Sequence, residues 1–341
     1  MQLIVTGFEL IMSVIEASTN SLESIVPSIG NTPLVRLRRV IEDVPRGVEV
    51  FAKAEHLNPG GSVKDRPALA MILESERRGL LRKGKSILDA SSGNTGIAYG
   101  MIGAARGYEV TLCLPANASP ERKKILAAYG VEIIETDPME GTDGAQALAR
   151  ELAQEFPEKY VYLDQYNNEA NWRAHFETTG PEIWQQTDGR ITHFLAGLGT
   201  TGTFTGVTRH LKKRNPLVKT IALQPDSPLH GIEGLKHLPT ARVPGIYDPS
   251  LVDAHVTIDT EPALLMRARL AREEGLFVGS SSGANVCAAL RLARSLPPGS
   301  VVVTILCDNG ERYLSERTAL TPVETMASLS AREHCDLRDR L

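Results

Sequence analysis

From about Ser24 onward the chain alternates short runs of apolar, often β-branched residues with longer stretches whose apolar positions recur every three or four residues. The short runs suit strands and the longer ones amphipathic helices. Strands are predicted at residues 48–54, 86–90, 109–114, 131–135, 160–163, 191–196, 220–224 and 301–307. Helices are predicted at 67–78, 96–106, 120–129, 144–155, 202–214, 261–274 and 283–295. A strand-then-helix order of this kind predicts an α/β architecture built on largely parallel strands.

The pattern restarts after Asn167-Asn168, which places a domain boundary near residue 168 and divides the body into residues 24–168 and 169–318. A cleft between two such halves is a usual ligand site. Residues 1–23 read as an extension with little that a fold needs, and Met12 is a candidate start. Residues 319–341 are predicted as one peripheral helix, because Thr321-Pro-Val-Glu324 offers an N-cap, a proline in the first turn and a capping-box glutamate.

Composition narrows the function classes. Hydrophobic residues make up 42% and charged residues 23% of 341, enough for about two globular cores. The 37 Lys and Arg are spread among 41 Asp and Glu, so no field strong enough to capture nucleic acid or a membrane surface is expected. An anionic ligand has to be caught locally. Cys113, Cys287, Cys307 and Cys335 stand far apart, with no Cys-x-x-Cys pair and no metal-binding spacing, so no metal is expected and a reducing cytoplasm is the plain reading. Residues 3–11 are apolar in part, yet Gly7 and Glu9 interrupt them and they are too short to span a bilayer.

Four small-residue loops carry the candidate chemistry. Lys64 lies in Asn58-Pro-Gly-Gly-Ser-Val-Lys-Asp-Arg66, between a glycine-rich turn and a helix start. A positive helix end would lower its pKa toward the neutral amine that attacks an aldehyde; the plainer reading is a solvated lysine. Ser91-Ser-Gly-Asn-Thr-Gly96 gathers amides and hydroxyls at another helix start, suited to a carboxylate or simply to capping. Gly197-Leu-Gly-Thr-Thr-Gly202 follows a strand and opens a helix, and Thr200, Thr201 and Thr203 add donors that suit a compact phosphate monoester. With Asp226 beyond the next strand it also fits a dinucleotide fingerprint, which makes a nicotinamide-dependent oxidoreductase the rival from another chemistry. Ser280-Ser-Ser-Gly283 is read as a further strand-to-helix turn. Gly79-Leu-Leu-Arg-Lys-Gly-Lys-Ser86 matches the phosphate-loop expression, but it follows a helix and precedes a strand, the wrong order for that role.

Together these segments resemble the fold-type II pyridoxal phosphate enzymes, and more narrowly the cysteine synthase and cystathionine β-synthase group, from Ser28-Ile-Gly-Asn-Thr-Pro-Leu-Val-Arg-Leu37 to Gly310-Glu-Arg-Tyr-Leu-Ser315. The resemblance implies a two-domain, three-layer fold of the tryptophan synthase β type, with residues 24–168 as a smaller, mobile domain and 169–318 as the phosphate-binding domain. It implies pyridoxal 5'-phosphate attached to Lys64, with Asn94 on the ring oxygen, Gly199, Thr200, Thr201, Gly202 and Thr203 on the phosphate, and Ser281 facing the pyridine nitrogen. Ser91, Ser92, Gly93, Thr95 and Gln165 would hold the substrate carboxylate, and Lys64 would also serve as the base at Cα. A neutral Ser281 where other such enzymes place a carboxylate makes the ring a weaker electron sink, which favours loss of a β-substituent.

Thr201, where the commoner cysteine synthase form has glycine, and Cys307-Asp308-Asn309, in place of a Pro-Ser-Ser type segment, are similar to the B form. The expected activity is L-cysteine synthesis from O-acetyl-L-serine and sulfide, with cystathionine synthesis as the near alternative. An O-phosphoserine donor is weakened by Asp226, which stands where such relatives carry arginine, although Lys236 or Arg242 could serve. A non-catalytic scaffold retaining the pocket is a third reading, and the resemblance implies a homodimer.

Overall fold

Two separate sheets carry the chain, and the backbone crosses between them twice. The computed structural model describes residues 23–91 and 93–314; the expected tail helix, residues 1–22 of the extension, and Ser92 lie outside the described residues. Strands β1 (Leu34–Arg36) and β2 (Glu49–Lys53) pair antiparallel, and helix α1 (Asp65–Arg77) then leaves their sheet. There follow β3 (Ser86–Ala90), α2 (Asn94–Arg106), β4 (Val110–Pro115), α3 (Pro120–Ala128), β5 (Glu132–Thr136), α4 (Gly141–Glu155) and β6 (Tyr160–Tyr162). These strands form an all-parallel sheet in the order β5-β4-β3-β6. Helices α5 (Glu169–Ala174) and α6 (Gly180–Gln186), joined by a π-helical turn at His175–Thr179, return the chain to the first sheet. There β7 (His193–Gly197), α7 (Gly202–Arg214), β8 (Lys219–Pro225), β9 (Ala254–Ile258), α8 (Thr260–Arg269), α9 (Ser280–Ala293) and β10 (Val301–Ile305) complete six strands in the order β1-β2-β10-β7-β8-β9.

The division expected near residue 168 does not describe sheet membership. β2 pairs in parallel with β10, Val50 opposite Val302, so residues 34–53 belong with the second half of the chain. Val50 and Ala52 are buried in one cluster with Val286, Leu290 and Val302, which is what holds this distant pairing. At roughly 1.5–3 kcal/mol for each large aliphatic side chain removed from water, that cluster outweighs the loop-closure cost. β1 and β9 were not predicted because they are edge strands: Ala254, His255 and Thr257 of β9 are exposed, so neither strand reads as an apolar run. α5 and α6 escaped because each is under three turns.

Buried charge fixes the start of α1. Arg66 pairs with Glu55 at 2.7 Å and with Glu182 at 2.6 Å, while Lys53 Nζ meets Glu182 at 2.6 Å. Thr32 Oγ1 donates to Glu55 at 2.6 Å. Two cations and two anions cancel, so the cluster is tolerated away from water, and it ties β2, α1 and α6 into one frame beneath Lys64.

Candidate active site

The loop before α1 is stitched to the end of β10. Val63 N–H donates to Cys307 O at 2.8 Å, Ser62 bridges to Asp308, and Gly61, at φ +76°, accepts from Asn309 N–H at 3.1 Å. Lys64 follows as the residue capping α1, half-buried, with its side chain lining a cavity. Its amine has no hydrogen-bond or ion-pair partner among the described residues. Burial lowers its pKa, against the opposing pull of Cys307 and Asp308. The cause is desolvation, and it favours the nucleophilic neutral amine.

The second element is an anion cradle at the start of α7. Thr201 sits in the left-handed region at φ +70°, at a cost of roughly 1–2 kcal/mol for a residue with a Cβ. Its Oγ1 is buried without a partner. The loop is squeezed from both sides: a Cβ on Gly199 would lie 2.1 Å from Gly234 O, and one on Gly202 would lie 1.9 Å from Asn171 Oδ1. Asn171 Nδ2 donates to Thr200 Oγ1 at 3.3 Å, and Thr203 Oγ1 lies 3.3 Å from His175 Nε2. His175 is held neutral, its pKa driven well down by burial and then by the charges of Arg66 and Lys64. A strained, glycine-flanked helix start with an orphaned hydroxyl fits a phosphate.

The third element comes from the four-stranded sheet. Ser91 Oγ accepts from Gly93 and Gly96 N–H at 3.3 and 3.1 Å, capping α2. Thr95 Oγ1 donates to Gln165 Oε1 at 2.7 Å, and Gln165 Nε2 donates to Ala90 O at 2.8 Å. Beneath them, buried Asp89 accepts from Tyr99 OH and Ala90 N–H, both at 2.8 Å; burial pushes its carboxyl up to about 7. Asn94, first residue of α2, donates to Asp308 Oδ2 at 2.6 Å and accepts from Arg312, which fixes the orientation of its amide. Ser281 is in the first turn of α9; only an isolated bridge from Val278 to Asn309 precedes that helix, so the expected strand before it is absent. Its neighbour Cys307 stays a neutral thiol, pushed up to about 11 by burial.

Two adjoining cavities with Lys64, Asn94, Gly199 and Thr200 common to both linings join the three elements at one opening. The mouth, about 550 Å³, is lined by Lys64, Ser91, Gly93, Asn94, Thr95 and Gln165. An inner recess of about 40 Å³ is lined by Lys64, Asn94, Gly199, Thr200, Thr201, Thr203 and Ser281. Gly202, expected on the ligand with them, is the first residue of α7, and its bare Cα lets the helix start against Asn171. Sequence reasoning missed Asn171 and Asn285, which carry no local signal, the latter lining the recess and accepting from Gly197 N–H at 2.9 Å, and Gly234, whose carbonyl walls the cradle. Asp226, whose N–H donates to Ile258 O at 3.1 Å at the end of β8, lines neither the recess nor the mouth, so the acidic residue of a dinucleotide fingerprint has no place in the cavity. No group of three or more potential metal ligands and no helix long and apolar enough to cross a membrane occurs among the described residues.

A lysine facing an anion cradle across a recess, on paired parallel sheets, defines a class of cofactor enzyme. The chain belongs to the pyridoxal-phosphate dependent enzyme family, whose pattern it matches over residues 25–308. It is 54% identical over 297 residues to a cysteine synthase of Aquifex aeolicus, covering 86% of this chain and 91% of that one. It is 48% identical to cysteine synthase B of Escherichia coli, covering 86% and 95%. Among solved structures, a cysteine synthase of Entamoeba histolytica superposes with a TM-score of 0.85 at 32% identity, covering 98% and 100%. An O-acetylserine dependent cystathionine β-synthase of Helicobacter pylori superposes with a TM-score of 0.83 at 35% identity, covering 88% and 99%.

Proposed function

We propose that the protein makes L-cysteine by β-replacement, from O-acetyl-L-serine and sulfide, with pyridoxal 5'-phosphate held at Lys64. The observation that carries this reading is the shared opening at which a desolvated lysine faces a phosphate-type cradle on one side and the 91–95 loop on the other. When bound, the cofactor supplies an aldehyde that condenses with amines and a ring that draws negative charge from Cα.

The chain's own residues do the rest. Gly199, Thr200, Thr201, Gly202 and Thr203 would hold the phosphate at the start of α7, where successive N–H groups and hydroxyls favour negative charge. Asn94, fixed by Asp308 and Arg312, keeps its second amide hydrogen for the ring oxygen. Ser281 offers the ring nitrogen a neutral hydroxyl. The 91–95 loop, Ser91 and Thr95 included, receives the substrate carboxylate at the start of α2, with Gln165 bracing Thr95. Lys64 takes the proton from the substrate Cα and returns it to the product; an amine already biased toward its neutral form can do this near neutral pH. The acetate departs from Cβ, and sulfide adds at the same carbon. Closure of the four-stranded lobe over the carboxylate would keep water out while Cβ is reactive.

The test is a spectrum of the purified protein, borohydride reduction with peptide mapping, and turnover with O-acetyl-L-serine. We expect yellow protein, a reduced cofactor on Lys64, and L-cysteine formed with sulfide faster than cystathionine with homocysteine. A colourless protein that cannot be reconstituted ends the reading, and faster cystathionine formation moves the activity to that alternative. The same reading carries a cytoplasmic homodimer, which sedimentation of the holoenzyme would weigh.

A further inference from the structure

Two opposite charges meet across the mouth of this cavity. Arg122, near the start of α3 beside the four-stranded sheet, forms an ion pair with Glu233, which lies in the loop after β8 on the six-stranded side. Both line the mouth together with Lys64. The Arg122 side chain is 7% exposed and that of Glu233 42%, so a nearly buried cation meets a partner half in solvent. Burying a guanidinium costs several kcal/mol that an exposed partner only partly returns, which makes a purely stabilising role a poor account of it.

The contacts of Arg122 point to a role in positioning. Its guanidinium carbon and two of its nitrogens would stand 3.6 Å from a Cβ built on Gly93, so the group faces Gly93 across a space of about one methyl. It also lies over the Tyr313 ring, 5.3 Å from the centroid. Tyr313 OH donates to Asp308 Oδ2 at 2.5 Å, the same oxygen that receives Asn94 Nδ2. One side chain therefore faces Gly93, stacks on the tyrosine behind Asp308 and Asn94, and pairs with the opposite lobe. A second ion pair crosses the mouth in the reverse sense: Lys236, three residues after Glu233, stands 3.7 Å from Asp143 of α4.

We propose that Arg122 is a positioning residue for amino-acid recognition: it sets the 91–95 loop against the lysine-bearing lobe, with Glu233 as its counter-ion across the mouth. It touches no reacting atom. Carboxylate capture and the seating of the lobes are thereby coupled, because the guanidinium that Glu233 holds walls the space beside Gly93 and packs on Tyr313, which orients Asp308 and through it Asn94. The inference rests on the reading of the 91–95 loop as the carboxylate site.

The experiment uses the holoenzyme, titrated with L-alanine, which has a carboxylate and an amine but no leaving group, and followed by the absorbance of the bound cofactor. Arg122→Met should raise the L-alanine dissociation constant and the KM for O-acetyl-L-serine about tenfold or more, while kcat at saturation falls less than threefold. Arg122→Lys should recover part of the loss, and Glu233→Gln should shift both constants the same way by a smaller factor. An unchanged L-alanine affinity in Arg122→Met overturns the proposal, as does a fall in kcat and melting temperature with KM kept. If that variant does not fold, Arg122→Lys and Glu233→Gln decide it, and wild-type constants in both overturn it. Thr95→Val separates the two readings: if it weakens L-alanine binding and the Arg122 variants do not, only this inference fails. If Thr95→Val also binds normally, the carboxylate site itself is misplaced and both fall.

Discussion

Gly202→Ala tests the packing that holds the cradle together. The new methyl would lie 1.9 Å from Asn171 Oδ1 and 2.7 Å from its Cγ, so something must move by about 1.5 Å to reach ordinary contact near 3.4 Å. Asn171 is 1% exposed, and its Nδ2 already donates to Gln165 O at 2.7 Å and to Thr200 Oγ1 at 3.3 Å. If the amide yields, both bonds go, at about 0.5–1.5 kcal/mol each; if α7 yields, overpacking costs about 1–3 kcal/mol. Alanine in place of glycine returns at most about 1 kcal/mol of helix propensity. The net loss is about 2 kcal/mol, and because the displaced groups are those around the phosphate, cofactor affinity should fall about thirtyfold. Apoprotein titrated with pyridoxal phosphate and followed by absorbance measures this, with a thermal melt in parallel. The double variant with Asn171→Ser removes the clash, so it should bind no worse than Asn171→Ser by itself. Cofactor affinity within twofold of wild type in Gly202→Ala, with an unchanged melt, would refute the strut.

Three further outcomes follow from the same geometry. Lys64→Ala should leave no borohydride-fixed cofactor and lower turnover by about 10²–10⁴, the usual worth of a positioned base; wild-type turnover would remove Lys64 from the chemistry. Asp89 titrates near 7 in the fold against 3.8 in the open chain, so the folded state holds its proton more tightly and stability falls as pH rises from about 4 to 7. The cost is absent below the lower value and complete above the upper one, of order 4 kcal/mol. Asp89→Asn should flatten that slope in urea unfolding between pH 5 and 8, and an unaltered slope would assign it to other groups. Glu182→Ala leaves Lys53 and Arg66 with Glu55 as the remaining carboxylate of the cluster, a loss of about 3–5 kcal/mol in denaturant titration; a loss below 1 kcal/mol would mean the cluster is better hydrated than its burial indicates.

Much of this site was legible because its parts are local. Glycine, serine and threonine at a strand-to-helix turn have few other uses, so the segments around Lys64, Ser91 and Thr200 announced themselves one by one, and residues 86–90 and 301–305 read as strands because both of their faces are buried. Periodicity also gave the helices that follow those loops, to within a few residues at each end. What it could not carry is anything set by residues far apart in the chain. That β2 lies beside β10 depends on a cluster drawn from both ends of the chain. The lowered pKa of Lys64 depends on its burial by the fold, which no local run of residues announces. Asn171, a plain helix residue to the eye, matters because Gly202 and Thr200 pack on it. Nothing local marks Arg122 or Glu233; the two lobes bring them across one opening. By itself, then, the order of residues determined most of the strands and helices, the edge strands and the shortest helices excepted, and the chemical character of each loop, since these follow from the nearest few neighbours. Only the tertiary structure decided which loops share a cavity, which charges lose their water there, and which glycine must stay bare, because those depend on packing between segments that meet only in the folded chain.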